Sequence, residues 1–205
     1  RDYDHWAELG NRGWSYEELL PLFKQSQHQE RGPSEYHGTG GPLNVADLRQ
    51  QSEISQVFVR AAGQVGYPLS DDFNGAEQEG VGFYQVTQKD GQRCSSARAY
   101  LHPMLQRPNL TILTNALASR VLFEGQRAVG VAYLDRSGQT VEVRARREVV
   151  LAGGAINSPQ LLLLSGVGPR AELERHGIPV VHELPGVGQN LQDHLDIVVA
   201  CRDRR

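Results

Sequence analysis

The chain has 205 residues, 39% of them hydrophobic and 22% charged, with a formal net charge of −3. That length makes one domain or two small ones, and that composition belongs to a soluble globular protein. The charge gives no electrostatic basis for binding nucleic acid or another polyanion, and no apolar run approaches the roughly 20 residues that span a bilayer.

Residues 1–30 read as helical surface. Ser15-Tyr16-Glu17-Glu18 is a capping box, in which hydroxyl and carboxylate satisfy each other's free N–H groups. Leu19, Leu20, Leu22 and Phe23 follow at helical spacing, and Pro21 lies too deep for the first helical position, which predicts a kink. Residues 31–44 are rich in Gly and Pro and read as loop. Gln51 to Val65 form the next helix, with Ile54, Val57, Phe58 and Ala61 on one face. Residues 66–94 are extended and turn-rich, with Asp72-Phe73-Asn74-Gly75 a turn. Ser95 to Leu105 read as helix, disturbed at Pro103.

Strand-like runs follow at 110–114, 119–124, 128–134 and 139–145, the last two a hairpin across Asp135-Arg136-Ser137-Gly138. Arg144, Arg146 and Arg147 have Glu142 and Glu148 beside them and read as a solvated strand end. Glu148 to Ala152 is a short apolar run suited to a strand buried on both faces. Gly153 and Gly154 turn the backbone, Ser158 caps a helix that Pro159 opens, and Gly166 stops it. Strand–glycine–helix turns any α/β corner, but bare backbone beside a helix N-terminus also admits a phosphate-bearing cofactor. Pro169 to His176 is a short helix ended by Gly177. Two distant cysteines, Cys94 and Cys201, make no disulfide framework and point to a reducing, cytoplasmic setting. Cys94 reads as a small residue in a turn.

The segment Gly154-Ala155-Ile156-Asn157-Ser158-Pro159-Gln160-Leu161-Leu162-Leu163-Leu164-Ser165-Gly166-Val167-Gly168 resembles the second signature of the glucose-methanol-choline (GMC) oxidoreductases, which use FAD to oxidise alcohols. Gly10-Asn11-Arg12-Gly13-Trp14 resembles the stretch after that family's first signature, and His37-Gly38-Thr39-Gly40-Gly41-Pro42-Leu43 its step into the substrate domain. Gly91-Gln92-Arg93-Cys94-Ser95-Ser96, Arg107-Pro108-Asn109-Leu110 and Pro185-Gly186-Val187-Gly188-Gln189-Asn190-Leu191-Gln192-Asp193-His194 continue the likeness in order. The likeness is strongest to bacterial choline-dehydrogenase-like alcohol dehydrogenases.

The resemblance implies a mixed α/β fold: part of a Rossmann-like FAD-binding domain with a β-meander, plus the start of a substrate-binding domain. Its expected division is 1–39 as a helical connecting segment of the FAD domain and 40–96 as partial substrate domain. Residues 97–194 would be partial FAD domain and 195–205 the start of a further substrate-domain segment. It implies FAD as cofactor, with Ala118 touching the adenine through its backbone. Ala152, Gly153 and Gly154 would lie against the nucleotide half, and Asn190 and Asp193 would order a loop near the flavin end. Ala118 also reads as an ordinary strand residue.

The chain starts at Arg1 without Met and ends in Arg202-Asp203-Arg204-Arg205. The expectation is the central part of a longer enzyme, with GxGxxG upstream and the catalytic His downstream. No catalytic residue is therefore assigned here, and His194 reads as structural. His5, His28, His102, His176 and His182 read as surface groups, and no pair has metal-ligand spacing. The implied partners are a small primary alcohol, choline-like or aliphatic, and a quinone or other electron acceptor; membrane association is left open. The competing reading is a catalytically inactive remnant or binding module of the same ancestry. The isolated chain is expected to be inactive, poorly soluble and unable to hold FAD tightly.

Overall fold

The computed structural model describes residues 1–200; Cys201 and Arg202 to Arg205 lie outside the described residues. The backbone divides into two compact units, Arg1–Thr111 and a second that begins at Ile112.

The first unit opens with helices α1 (Asp2–Glu8) and α2 (Tyr16–Ser26). The capping box at α2 forms as the sequence requires: Ser15 Oγ accepts from the Glu18 N–H, and Glu18 reaches back to the Ser15 N–H at 3.1 Å. The helix continues through Pro21. It is followed by strand β1 (Gln27–Gln29), which pairs in parallel with β2 (Leu43–Val45). These strands replace the helix and loop expected there. β1 is wholly polar, and in both strands the buried residue is polar, Gln29 in β1 and Asn44 in β2, so hydrophobic periodicity carries no sign of them.

The loop between these strands lies flush on the end of α2. A Cβ on Gly38 would sit 1.9 Å from the Lys24 carbonyl oxygen, and one on Gly41 2.4 Å from the Ser26 carbonyl carbon. Helix α3 (Glu53–Gln64) is capped by Ser52, whose side chain accepts from the Ser55 N–H. Its expected inner face is largely uncovered, Ile54 being 67% and Phe58 70% exposed. The turn at Asp72 forms, with the Asn74 N–H donating to Asp72 Oδ1 at 3.0 Å. A short hairpin, β3 (Gln88–Lys89) with β4 (Gln92–Arg93), leads to buried Cys94. The helix expected over 95–105 is instead a π-helical turn, Ala97–Leu101, and a 3₁₀ turn, His102–Met104, consistent with the break expected at Pro103.

The second unit is built on a three-stranded antiparallel meander of β5 (Leu117–Glu124), β6 (Arg127–Leu134) and β7 (Thr140–Arg144). The expected β6–β7 hairpin is present, Leu134 facing Thr140. Its Asp135 carboxylate accepts from the Ser137 and Gln139 N–H groups at 2.8 and 3.0 Å.

Two expected strands are not formed. Residues 110–114 and 148–152 lie outside regular structure. A strand exists only with a ladder partner, and neither run has one among the described residues; Val150 is 78% exposed. Helix α4 (Gly154–Leu164) follows, then β8 (Val167–Gly168), α5 (Arg170–Arg175) and β9 (His182–Glu183), with β8 and β9 parallel. Helix α4 begins before Ser158, so that residue is not its cap and Pro159 is interior.

The core is thin. Val121, Ala132, Val167, Leu173 and Val187 are buried in the second unit, and only Ala46, Cys94 and Ala99 among apolar residues of the first. Accessible surface is 16515 Å², against roughly 11,500 Å² for two separate compact domains of half this mass. Much apolar surface therefore stays in contact with water.

Candidate functional site

The candidate cofactor residues lie in the second unit. Gly154 opens α4 with φ +85°, a conformation that side chains rarely adopt. A Cβ there would meet nothing within 4 Å, so the backbone is bare to the surroundings. Gly153 is constrained differently: its Cβ would press within 3.1 Å of the Asn157 Cβ. The Gly153 N–H donates to Ser158 Oγ at 2.9 Å. The serine expected to cap the helix thus pins the turn that precedes it.

No side chain caps α4, and its first turn contains no acidic residue. The N–H groups of that turn carry the positive end of the helix dipole, with no carboxylate competing for them. Ala152, Gly153 and Gly154 are all exposed. A phosphate-bearing group fits such an opening chemically: free donors, favourable dipole and no Cβ over the backbone.

Ala118 is exposed on β5 opposite Tyr133, at a register shift between Ala118 and Arg120. An irregularity of this kind turns the backbone out of the ladder. β5 is an edge strand, with no strand on its outer side among the described residues. Ala118 itself is exposed on that edge, whereas further along the strand the edge is covered by α4 at Val121.

The two elements are tied by one buried side chain. Ser165, 8% exposed at the end of α4, accepts from the Val121 N–H of β5 at 2.8 Å and donates to the Leu161 carbonyl at 2.5 Å. Nothing local announces this bond, which spans 44 positions, and the sequence reading missed it. The next residue, Gly166, has φ +83°, and a Cβ on it would fall 2.3 Å from the Pro179 carbonyl oxygen. The serine is thus held between a helix end and a turn that admits only glycine.

Asn190 and Asp193 belong to no regular element. Asn190 is exposed with φ +52°, and exposed Asp193 accepts from the His194 N–H at 2.8 Å. The structure ties β5, which carries Ala118, at Val121 to the C-terminal end of α4, the helix whose other end is at Gly154, and leaves Asn190 and Asp193 in exposed chain beyond buried Val187. An apolar cleft of about 330 Å³ lies between the meander and α4, lined by Val121, Phe123, Val149, Leu151, Leu162 and Val181 among others. None of the candidate cofactor residues lines it.

The first unit holds a polar cluster that the sequence reading also missed. His37, 7% exposed, shares hydrogen bonds with Gln27 Oε1 at 3.1 Å and Asp72 Oδ2 at 2.9 Å. Both ring nitrogens face partners within the fold. Nearby, Arg31 pairs with Asp47 at 2.8 Å, and Gln85 bridges Asp47 to buried Gln29. The Arg31 hydrogen bond holds the Asp47 carboxyl below its usual range and the partnership raises Arg31 in turn. Hydrogen bonds from Asn44 and Arg49 likewise lower Glu30. These pairs tie β1, β2 and the turns beside them; they are structural. Among the described residues no cluster of three or more His, Cys, Asp or Glu could hold a metal ion, and no helix is long and apolar enough to cross a membrane.

Comparison with known proteins matches residues 1–196 to the family described as GMC oxidoreductase. The chain is 52% identical over 202 residues to an alcohol dehydrogenase (acceptor) of Pseudomonas putida, covering 98% of this chain and 37% of that protein. It is equally identical to human mitochondrial choline dehydrogenase, again over 98% of this chain but 34% of the relative. Among solved structures, a pyridoxine 4-oxidase from Mesorbium loti superposes with TM-score 0.86 at 35% identity, over 94% of this chain and 38% of that one. An FAD-dependent oxidoreductase from Chaetomium thermophilum does so with TM-score 0.85 at 37% identity, over 94% and 36%. The chain spans little more than a third of the length of these relatives.

Proposed function

This chain belongs to the GMC oxidoreductase family, and on that footing we propose that it forms the cofactor-holding middle of an FAD-dependent oxidoreductase acting on CH–OH groups. The observation that carries the reading is the match over nearly the whole chain to alcohol and choline dehydrogenases at 52% identity. The open, uncapped start of α4 supports it chemically.

Within that reading, FAD when bound would accept hydride at its N5 from the alcohol carbon. The backbone at Ala152, Gly153 and Gly154 would hold the phosphate-bearing nucleotide half, where the helix dipole and the N–H groups from Gly154 onward favour negative charge, the Gly153 N–H being held by Ser158. Ala118 offers main-chain groups on the open edge of β5 to the adenine. Asn190 and Asp193 order the chain near the flavin end. No residue of this chain is assigned as the base that would take the alcohol's proton. We assign residues 1–39 and 97–194 to the FAD domain, 40–96 to the substrate domain and 195–205 to a further substrate-domain segment. The substrate is a choline-like or aliphatic primary alcohol and the acceptor a quinone or similar carrier. A cytoplasmic location, with or without contact to a membrane surface, completes the proposal.

The reading is tested by grafting this chain in place of the matching segment of the Pseudomonas putida relative. Expected is a yellow protein that retains FAD through gel filtration and oxidises a primary alcohol with an artificial acceptor. A folded but colourless product would refute the cofactor assignment, and a yellow product inert to alcohols the substrate assignment. The isolated chain is the case in which a second reading, an inactive binding module, gains support: its exposed Ile54, Phe58 and Val150 favour association over function.

A further inference from the structure

We propose that Ser165 is a positioning residue that sets β5 and α4 in register and so holds the adenine and phosphate contacts at a fixed distance from each other. This rests on the cofactor reading above. The hydroxyl is donor and acceptor at once: it gives its proton to the Leu161 carbonyl and receives the Val121 N–H at 2.8 Å. Val121 is itself 5% exposed, so its amide has no access to bulk water as a substitute. The bond anchors β5 just beyond the register shift, at which Ser119 is left without a partner and Ala118 is its neighbour on the strand. Ser158 pins the Gly153 turn at the other end of the same helix. Loss of the hydroxyl would leave a buried donor unsatisfied. The strand then slides or admits water, and the helix that presents Gly153 and Gly154 is freed from the strand that presents Ala118.

Leu173 supplies the control. It is 1% exposed, lies on α5 and lines neither contact. Leu173→Ala destabilises the second unit through a cavity and leaves the serine bond in place. Ser165→Thr keeps the hydroxyl and serves as the conservative rescue.

The test reads hydrogen exchange and FAD retention, both in the Pseudomonas putida graft. Under the proposal, Ser165→Ala speeds exchange at Leu117–Val121 and at Gly153 together, Leu173→Ala does so only around 167–182, and Ser165→Thr restores protection. In the graft, Ser165→Ala weakens FAD binding about tenfold, the equivalent of ~1.4 kcal/mol, while Leu173→Ala lowers the melting temperature with FAD affinity retained. Unchanged exchange at either Leu117–Val121 or Gly153 in Ser165→Ala overturns the proposal. So does FAD loss that merely follows the melting temperature in both variants. If the unsubstituted graft binds no FAD, the cofactor reading fails, and the positioning role toward it fails too. Exchange then decides only whether the strand–helix coupling exists.

Discussion

Substituting Gly154 separates backbone strain from cofactor occupancy. Its φ of +85° costs an L side chain about 1–2 kcal/mol, but a Cβ there meets nothing within 4 Å. Gly154→Ala therefore carries the strain term without a clash. Gly125, in the turn between β5 and β6, has φ +58° and equally empty surroundings, so Gly125→Ala carries about the same strain away from the start of α4. Both variants should lose ~1–2 kcal/mol of stability, read as similar falls in melting temperature. Only Gly154→Ala should also weaken FAD, because its methyl group occupies the face where the phosphate-bearing half would approach. The assay is thermal melting beside FAD titration by flavin fluorescence, both in the full-length graft. Equal FAD affinities in the two variants would refute the placement of the cofactor at α4, whatever the melting temperatures.

His37→Ala should destabilise the first unit by about 2 kcal/mol, since it removes a buried ring and strands the partly buried Asp72 carboxylate; urea unfolding of the isolated chain checks this. Acid should unfold the same unit. Asp47 and Glu30 have folded-state values below their unfolded ones, so their stabilisation is present above the ordinary carboxylate range and is lost as pH falls through and below about 4. Circular dichroism from pH 7 to 2 follows it, and Asp47→Asn should flatten part of the slope. Ser15→Ala should cost roughly 1 kcal/mol through the capping box, read as a lower urea midpoint. The isolated chain should associate as its concentration rises, seen by light scattering; a stable, yellow, monomeric preparation would contradict both this and the expected failure to hold FAD.

Local signals were legible where one short segment decides the structure. The Ser15 capping box, the Asp135 hairpin turn and the helix expected over Gln51 to Val65, found as Glu53–Gln64, depend on neighbours a few positions apart. The glycine-led entry to α4 was legible as a motif, but its register was not. Ser158 and Pro159 look like a cap and a first turn, whereas α4 starts at Gly154 and Ser158 bonds backward to Gly153. The β1–β2 pair escaped because buried Gln29 and Asn44 are satisfied by Gln85, Glu30 and the Gln88 carbonyl, all distant or polar partners. Runs 110–114 and 148–152 have strand composition yet no ladder, since composition supplies propensity and only a neighbour supplies hydrogen bonds. Ser165 is the sharpest case within the candidate site: its role is set by Val121, far away in the chain.

The loop that rests on the end of α2 bears on how the chain can be engineered. Gly38 to Gly41 has the composition usually selected for inserting a tag, a fluorophore or a new terminus. Here the Lys24 and Ser26 backbones occupy the space that any side chain at Gly38 or Gly41 would need. Insertions there should be rejected, while the hairpin turn at Gly138, where a Cβ meets nothing within 4 Å, offers the permissive site for a reporter.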